Sequence, residues 1–127
     1  MEKGIKFSLE RVVTEDLTAK AMGSGTLDVF ATPAMIALIE ETAWKSVAER
    51  LEDGQATVGT CLKINHIAPS PVGMKIKCET ELTEIDGRRL VFNVKVVDEC
   101  GEIGNGVHER FIINAERFQA KANEKAK

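Results

Sequence analysis

One long segment of this chain has the periodicity of a helix, whereas its other apolar segments alternate as strands do. From Pro33 to Leu51, at about 100° per residue, the apolar side chains fall on one stripe. The stripe consists of Ile36, Ile39, Ala43, Trp44, Val47 and Leu51, and the opposite side carries Glu41, Thr42, Lys45, Ser46, Glu49 and Arg50. The pattern predicts one amphipathic helix, beginning after Thr32 and ending near Asp53, that lies on a hydrophobic core.

Short alternating segments predict one β-strand before this helix and four after it. Ile5, Phe7 and Leu9 alternate with polar residues, and residues 14–28 predict a loop between this first strand and the helix. The later strands are predicted over residues 56–68, 74–82, 90–97 and 107–114. The dipeptide Asp86-Gly87 predicts a hairpin turn, and the glycine-rich residues 99–106 predict another turn.

This order of elements predicts an α+β fold in which an antiparallel sheet curls around one helix. A single helix covers only one side of such a sheet, and Val91 and Val97 are predicted to face the other side. We therefore expect a homodimer or a dimer of dimers. A length of 127 residues fits one domain. That domain is predicted over residues 1–118, with a charged C-terminal tail at residues 119–127.

The overall charge and the cysteine content exclude several classes of protein. A net charge of −3 without a concentrated basic block disfavours nucleic acid as a partner. Because the sequence has neither an apolar run long enough to span a membrane nor a secretory leader, we expect a cytoplasmic protein without a membrane partner. Cys61, Cys78 and Cys100 form no CxxC pair, which is typical of reduced thiols. The histidines are too far apart in sequence to suggest a metal site, and no cofactor is expected.

Glu40 and His66 are the two polar residues that the periodicity directs toward the core. Glu40 has Ile36, Ala43 and Trp44 as its helical neighbours, and burying an unpaired carboxylate costs several kcal/mol. His66 has the parity of the predicted inward residues of its strand, Val58, Leu62 and Ile64. One interpretation is a core histidine bonded to the backbone; the other is that Glu40 and His66 share a pocket as an acid–base pair.

Thr32 and Gly59 each have both a structural and a functional interpretation, and the last strand contains a polar triplet. Thr32 before Pro33 is favoured as a helix N-cap, although a hydroxyl at a helix N-terminus can also bind a water or attack a carbonyl. Gly59 inside a strand indicates either a bulge or a close approach to the backbone. In the last strand His108 and Arg110 share one face and Glu109 takes the other, for which surface ion pairing is the expected outcome.

Four segments of the sequence resemble the fluoroacetyl-CoA thioesterase family of single-domain hotdog-fold proteins. The segments are VFATPAMIALIE, VGTCLKINHIAPSPVG, DGRRLVFNV and GVHERFIINAERFQAK, in the same order and at matching spacing from about Phe30 to Lys121. The resemblance implies a hotdog fold and hydrolysis of an acyl-CoA thioester. It also implies that Thr32, Glu40 and His66 act together in catalysis.

The resemblance further implies that the backbone of Gly59 faces the thioester, and Phe30 and Arg110 are assigned with it to substrate binding. The attacking group is left open between a water and a covalent intermediate on Thr32 or Glu40. Residues 22–28, MGSGTLD, lack the aromatic side chains linked to fluoroacetyl selectivity in the family, so another short acyl-CoA is expected. The alternatives are a non-catalytic acyl-CoA-binding protein and, less favoured, an enoyl-CoA hydratase.

Overall fold

A computed structural model describes residues 1–126 as five strands and three α-helices joined by short 3-10 turns. The strands are β1 (Lys6–Val12), β2 (Gln55–His66), β3 (Lys75–Asp86), β4 (Arg89–Asp98) and β5 (Gly101–Asn114). The helices are α1 (Ala19–Met22), α2 (Thr32–Val47) and α3 (Ala115–Asn123). The order of one strand, a long helix and four strands is as predicted, and the interval taken as a loop also contains α1. The predicted tail overlaps the exposed helix α3, and its last residue, Lys127, lies outside the described residues.

The strands form one antiparallel sheet in the order β1-β3-β4-β5-β2, which leaves β1 and β2 as its edges. The alternation predicted for β4 is confirmed, because Leu90, Phe92 and Val96 are fully buried while the intervening Asn93 and Lys95 are exposed. These inward side chains meet those of α2 in the core. The architecture is therefore the predicted α+β arrangement of one long helix on an antiparallel sheet.

Helix α2 is rotated from the stripe that the sequence predicts. Leu38 is 2% exposed although the predicted stripe omits it, whereas Trp44, which the stripe includes, is 42% exposed. Thr42 and Ser46, predicted on the polar side, are buried because their hydroxyls donate to the carbonyls of Leu38 and Ala43. A hydroxyl that bonds to its own helix can be buried at little cost, and a hydrophobicity wheel cannot recognise this.

A β-bulge in β2 changes which of its residues face α2. The register with β5 shifts between Gly59 and Cys61, so Thr60 is the extra residue. Gly59 then faces the helix, and Val58 faces away, which corrects the predicted parity of Val58. His66 stays on the inner side, because the bulge precedes it. The bulge interpretation of Gly59 is thus correct.

The glycine-rich segment before the last strand is mostly strand, not the predicted turn. Gly104 and Gly106 pair with Val96 and Val94 of β4 within β5. A Cβ on Gly104 would lie 2.8 Å from the sulfur of Met35, and one on Gly106 would lie 2.1 Å from the carbonyl oxygen of Lys63. Glycine is therefore required here for α2 and β2 to approach β5 closely.

Candidate active site

Thr32 and His66 are brought together at the start of α2. The Thr32 hydroxyl oxygen lies 2.8 Å from Nδ1 of His66, which is the last residue of β2. The helix N-cap is Ala31, which has no side chain able to cap, and Thr32 is the first residue of the helix, followed by Pro33 in the first turn. The structure corrects the capping interpretation of Thr32, since its hydroxyl bonds to His66 instead.

The surroundings of His66 favour its neutral form. Burial lowers the pKa of His66 below the ordinary value of 6.5, and the backbone carbonyl of Ala68 opposes this effect only partly. Nε2 of His66 is buried and has no hydrogen-bond partner within residues 1–126. A neutral imidazole with an unprotonated Nδ1 can accept the Thr32 hydroxyl proton, which is the arrangement of a nucleophile or water-binding hydroxyl beside its base.

A cavity of about 300 Å³ opens beside this pair. Its walls are Thr32, His66, Phe30, Ser24, Val29 and the segment Ile67–Pro69. Phe30 is buried and packs edge-on against the His66 ring, with centroids 6.5 Å apart. The cavity is at the lower end of ligand-site volumes, which suits a small group such as a short acyl chain.

Backbone hydrogen bonds tie the segment before α2 to the rest of the chain. Phe30 N–H donates to Ser70 O at 2.8 Å, and Ala31 N–H donates to Leu17 O at 2.9 Å. The Ser70 hydroxyl donates in turn to the Asp98 carboxylate at 2.7 Å, beside the turn into β5. Residues widely separated in sequence therefore hold the mouth of the cavity in place.

Glu40 lies two helical turns farther along α2, against the inner faces of β2 and β5. Its carboxylate oxygen Oε2 is 3.5 Å from Nη1 of Arg110, and its side chain is 40% exposed. A Cβ on Gly59 would lie 2.5 Å from the same oxygen, so only glycine leaves room for the carboxylate. Glu40 thus turns toward the sheet as predicted, but at the margin of the core and beside a cation.

Arg110 is held by more partners than a surface ion pair would need. It is 5% exposed, and its guanidinium donates to the Thr57 hydroxyl at 2.8 Å and to the Thr57 carbonyl at 2.9 Å. Burial lowers the pKa of Arg110 and Glu40 opposes this effect, but an arginine remains charged in either case. The prediction of surface ion pairing is wrong for Arg110 and His108, and correct for Glu109, which accepts from Arg89 at 2.8 Å on the other face.

His108 is the residue that sequence analysis left out of the site. It is fully buried, donates through Nδ1 to the Cys61 carbonyl at 2.9 Å, and has Nε2 3.1 Å from Nη1 of Arg110. Because a carbonyl only accepts, Nδ1 must carry the proton. Its shared parity with Arg110 was a signal in the sequence, but the burial of that face could not be read from it.

The predicted catalytic and substrate-binding residues form two groups within one chain. Thr32 and His66 make one group, and Glu40, Gly59 and Arg110 make the other. Glu40 follows Thr32 by eight residues, which is about 12 Å along an α-helix. Among residues 1–126, no hydrogen bond or salt bridge connects Glu40 with Thr32 or His66.

Residues 1–126 contain neither a candidate membrane-spanning helix nor a candidate metal-binding cluster. None of the helices there combines the length and the hydropathy that crossing a bilayer requires. Within the same residues, no group of three or more His, Cys, Asp and Glu side chains is arranged to hold a metal ion.

Comparison with known proteins gives a consistent result. The model of a family described as fluoroacetyl-CoA-specific thioesterase matches residues 13–116. A fluoroacetyl-CoA thioesterase from Streptantibioticus cattleyicolor is 39% identical over 98 residues, covering 77% of this chain and 70% of that protein. The family match covers every predicted site residue from Phe30 to Arg110.

Solved structures extend the similarity to three dimensions. The fluoroacetyl-CoA thioesterase FlK superposes with a TM-score of 0.94 at 34% identity, covering 98% of this chain and 97% of that one. A variant of FlK in complex with acetyl-CoA gives 0.95 at 32% identity, with both chains covered completely (100%). A hot-dog-like protein from Thermanaerovibrio acidaminovorans, 18% identical, gives 0.89 over 98% of this chain and 93% of that one, which is a likeness of fold.

Proposed function

This chain belongs to the fluoroacetyl-CoA-specific thioesterase family, and we propose that it hydrolyses a short acyl-CoA thioester to the acid and free CoA. It is a hotdog-fold thioester hydrolase by family and by fold. The observation that supports this choice of chemistry most directly is the 2.8 Å contact between the Thr32 hydroxyl and His66 beside a small cavity.

In the proposed mechanism the acyl group occupies the cavity beside Phe30, and neutral His66 is the general base. His66 Nδ1 accepts a proton from Thr32, or through it from a water, as the thioester carbonyl is attacked. Glu40 orients or activates the attacking group. Amides at the start of α2, or the amide of Gly59, stabilise the oxyanion, and one such donor contributes about 3 kcal/mol. The C–S bond then breaks and the CoA thiolate leaves; where Thr32 is the attacking group, a water then hydrolyses the acyl–Thr32 ester and releases the acid.

Arg110 has a different proposed role from direct substrate binding. Because it is buried and bonded to Thr57, it is poorly placed to reach the phosphates of CoA. Its contact with Glu40 supports a role in fixing that carboxylate. Gly59 and Phe30 remain the proposed substrate contacts, the first as the backbone beside the thioester and the second as a wall of the acyl cavity.

We propose that fluoroacetyl-CoA is not a preferred substrate. The segment 22–28 contributes Ser24 to the cavity, and its two large apolar residues, Met22 and Leu27, are 44% and 65% exposed. Discrimination of a fluorinated acyl group needs side chains that contact the fluorine, and this segment supplies no aromatic one. Another short acyl-CoA or a broad range of them is the better match.

The acyl-CoA test uses a panel from acetyl-CoA to hexanoyl-CoA, with fluoroacetyl-CoA included, and measures free thiol. We expect turnover by the wild type and a loss of about 100-fold or more in kcat for Glu40→Gln. Glu49→Gln, an exposed glutamate just after the same helix, is the control and should behave as the wild type. Equal rates for Glu40→Gln and the wild type would refute the assigned role of Glu40. Binding of CoA esters without thiol release by the wild type would instead support an acyl-CoA-binding protein.

We also propose that two chains form a homodimer through β2 and that each active site uses both chains. β2 is an edge strand with free pairing groups, and Leu62 on it is exposed. His66 lies at its end and Gly59, beside Glu40, lies nearer its start. If β2 pairs antiparallel with its copy, its two ends exchange places. Each Thr32–His66 pair would then face the other chain's Glu40, on the same side of a continuous sheet.

A subunit-mixing experiment tests this arrangement. Glu40→Gln and His66→Ala chains, each inactive alone, are mixed in equal amounts after reversible dissociation. Random pairing makes half of the dimers mixed, each with one intact site, so about a quarter of wild-type activity is expected. Native mass spectrometry verifies the mixed dimers. Mixed dimers without activity would mean that the site lies within one chain, whereas the thioesterase proposal would be unaffected.

A cytoplasmic location is a further proposal. It is supported by the free thiols of Cys61, Cys78 and Cys100. Reduction should accordingly leave the melting temperature unchanged.

A further inference from the structure

The buried histidine of β5 has no role in the mechanism above, yet it is bonded to a residue that has one. His108 is 0% exposed and stacks on Phe92 of β4, with centroids 6.2 Å apart. Two hydrogen bonds engage both of its ring nitrogens. A core histidine needs only to satisfy its polar atoms, so the question is what the second of these bonds does.

The hydrogen bonds of His108 define its tautomer. The Cys61 carbonyl, 2.9 Å from Nδ1, can only accept, so Nδ1 carries the proton. Arg110 can only donate, so Nε2, 3.1 Å from Nη1 of Arg110, must have a free lone pair. The β2 backbone thus selects a neutral histidine whose other nitrogen accepts a hydrogen bond from the arginine.

His108 Nε2 fixes Arg110 through Nη1, the guanidinium nitrogen that also contacts Glu40. Nε and Nη2 of Arg110 are bonded to Thr57, but Nη1 is the atom 3.5 Å from the Glu40 carboxylate. His108 therefore orients the same guanidinium nitrogen that contacts the proposed catalytic residue. A protonated His108 would place an N–H and a positive charge against this N–H, and Arg110 would have to move.

We propose that His108 is a positioning residue that, as the neutral Nδ1–H tautomer, holds Arg110 against Glu40. This inference rests on the proposed function, because it assigns His108 to the thioesterase site. His108 does not touch the substrate in this scheme. It connects the backbone of β2 through Arg110 to the carboxylate on α2, so a change in its charge alters the geometry of Glu40.

The charged groups around His108 act in both directions on its protonation. On β5, Arg110 opposes a second positive charge, whereas Glu109, on the outer face, favours it. Glu40 on α2 favours it as well, and so does the Cys61 carbonyl on β2. Phe92 on β4 supplies an apolar surface. Burial is the largest influence, and it lowers the pKa of His108 below the ordinary 6.5, so His108 is neutral near pH 7.

Two substitutions separate the two hydrogen bonds of His108. In His108→Gln the amide oxygen can replace Nε2 and accept from Arg110, and it does not titrate. In His108→Asn the shorter amide can still donate to Cys61 but cannot reach Arg110. We expect kcat to fall by no more than about threefold in His108→Gln and by about tenfold or more in His108→Asn, with little change in KM. In an Arg110→Lys background, His108→Asn should add less than about twofold.

The pH profile supplies a readout that a purely structural role would not affect. In the wild type both His66 and His108 must be neutral for activity. A plot of log kcat against pH should therefore fall at acidic pH with a slope approaching two. In His108→Gln the slope should approach one, because only His66 remains. An unchanged slope in His108→Gln, or equal losses in the Gln and Asn variants with lowered melting temperatures, would overturn the proposal.

A substrate-free measurement separates this proposal from the thioesterase assignment. Long-range ¹⁵N–¹H NMR of the wild type at pH 7.5 should show His108 protonated at Nδ1 and not at Nε2. On acidification, the Arg110 side-chain signals should shift together with those of His108. An Nε2–H tautomer of His108, or Arg110 side-chain signals that do not shift as His108 is protonated, would overturn the positioning role whether or not thioester is hydrolysed. If both NMR results are as expected but no acyl-CoA is cleaved, the thioesterase proposal is refuted, whereas the contact between His108 and Arg110 is supported.

Discussion

Because Gly59 has no side chain, the Glu40 carboxylate can lie close to the backbone of β2. Sequence analysis offered a bulge or a close approach as the explanation for Gly59, and both are present: the register of β2 shifts after it, and Glu40 occupies the space that a Cβ would need. Burying a carboxylate costs least where donors and water remain accessible. The half-exposed position of Glu40 beside Arg110 meets this condition and resolves the apparent conflict of a glutamate on the apolar side of a helix.

Gly59→Ala should separate activity from stability. The added methyl group would displace the Glu40 carboxylate, so we expect kcat to fall by about tenfold or more. The free energy of unfolding should change by less than about 1 kcal/mol, because the restriction that alanine places on the unfolded chain opposes the tight 3.3 Å contacts of its Cβ with Arg110 Nη1 and His108 Cε1. Steady-state kinetics and urea unfolding measure the two effects. Thr60→Ala, next to it on the bulge, is the control, and wild-type kcat in Gly59→Ala would contradict the prediction.

At the same scale, Thr32 shows where a local rule gives the wrong partner. A threonine before a proline is a good N-cap signal, but its hydroxyl is 2.8 Å from His66 and the cap position belongs to Ala31. The local pattern contains no information about β2, which ends beside the helix only in the folded chain. A distant partner therefore outcompetes the local one for the hydroxyl.

At the scale of elements, the orientation of α2 decides which of its residues reach the sheet. Its buried face includes Thr42 and Ser46 and leaves Trp44 at the edge, where it lines a groove of about 390 Å³ with Ala56 and Arg110. The rotation is possible because the two hydroxyls bond to the helix backbone. It also places Glu40 at the border between core and solvent, where a carboxylate can be both oriented and hydrated.

The rotation predicts a contrast between two leucine-to-alanine substitutions. Leu38 lies on the buried face of α2 and is 2% exposed, so Leu38→Ala should lower the free energy of unfolding by about 2–5 kcal/mol. Leu27 is 65% exposed, so Leu27→Ala should change the free energy of unfolding by no more than about 0.5 kcal/mol. Urea unfolding at one protein concentration compares the two. A loss for Leu38→Ala as small as that expected for Leu27→Ala would mean that α2 is oriented as the sequence pattern alone suggested.

At the scale of the whole molecule, the two groups of proposed site residues lie toward different ends of β2. The Thr32–His66 pair is fixed by contacts to the segment around Ser70, and Glu40 is fixed by β5 through Arg110. The sheet holds these ends apart within one chain. The strand between them, β2, is an exposed edge of the sheet. For this reason we propose that a second copy of the chain pairs with β2 and completes the site.

The two histidines predict how the stability of the whole molecule depends on pH. Both have folded-state pKa values below 6.5, so between 6.5 and those lower values the unfolded chain binds more protons than the folded one. The free energy of unfolding should therefore decrease as pH falls from 7.5 to 5.5. Urea unfolding at several pH values measures this slope.

Histidine variants provide the control for that slope. His108→Gln should reduce this decrease, and adding His66→Gln should reduce it further. Glu41, Asp98 and Glu109, whose pKa values are lowered by their hydrogen bonds and salt bridges, contribute only at lower pH, below their ordinary values of about 4. A decrease that persists in the double variant would show that other groups are responsible.

The sequence by itself determined the element order, the alternation of β4, the family resemblance, and the candidate residues Thr32, Glu40, His66 and Gly59. These follow from hydrophobic periods, turn dipeptides and motif spacing, which act over a few residues. Tertiary structure alone decided the rotation of α2, the change of face at the β2 bulge, the His66 partner of Thr32, and the burial of His108 beside Arg110. The physical reason is that each of these depends on which distant groups meet, and on whether a polar atom finds its hydrogen bond there.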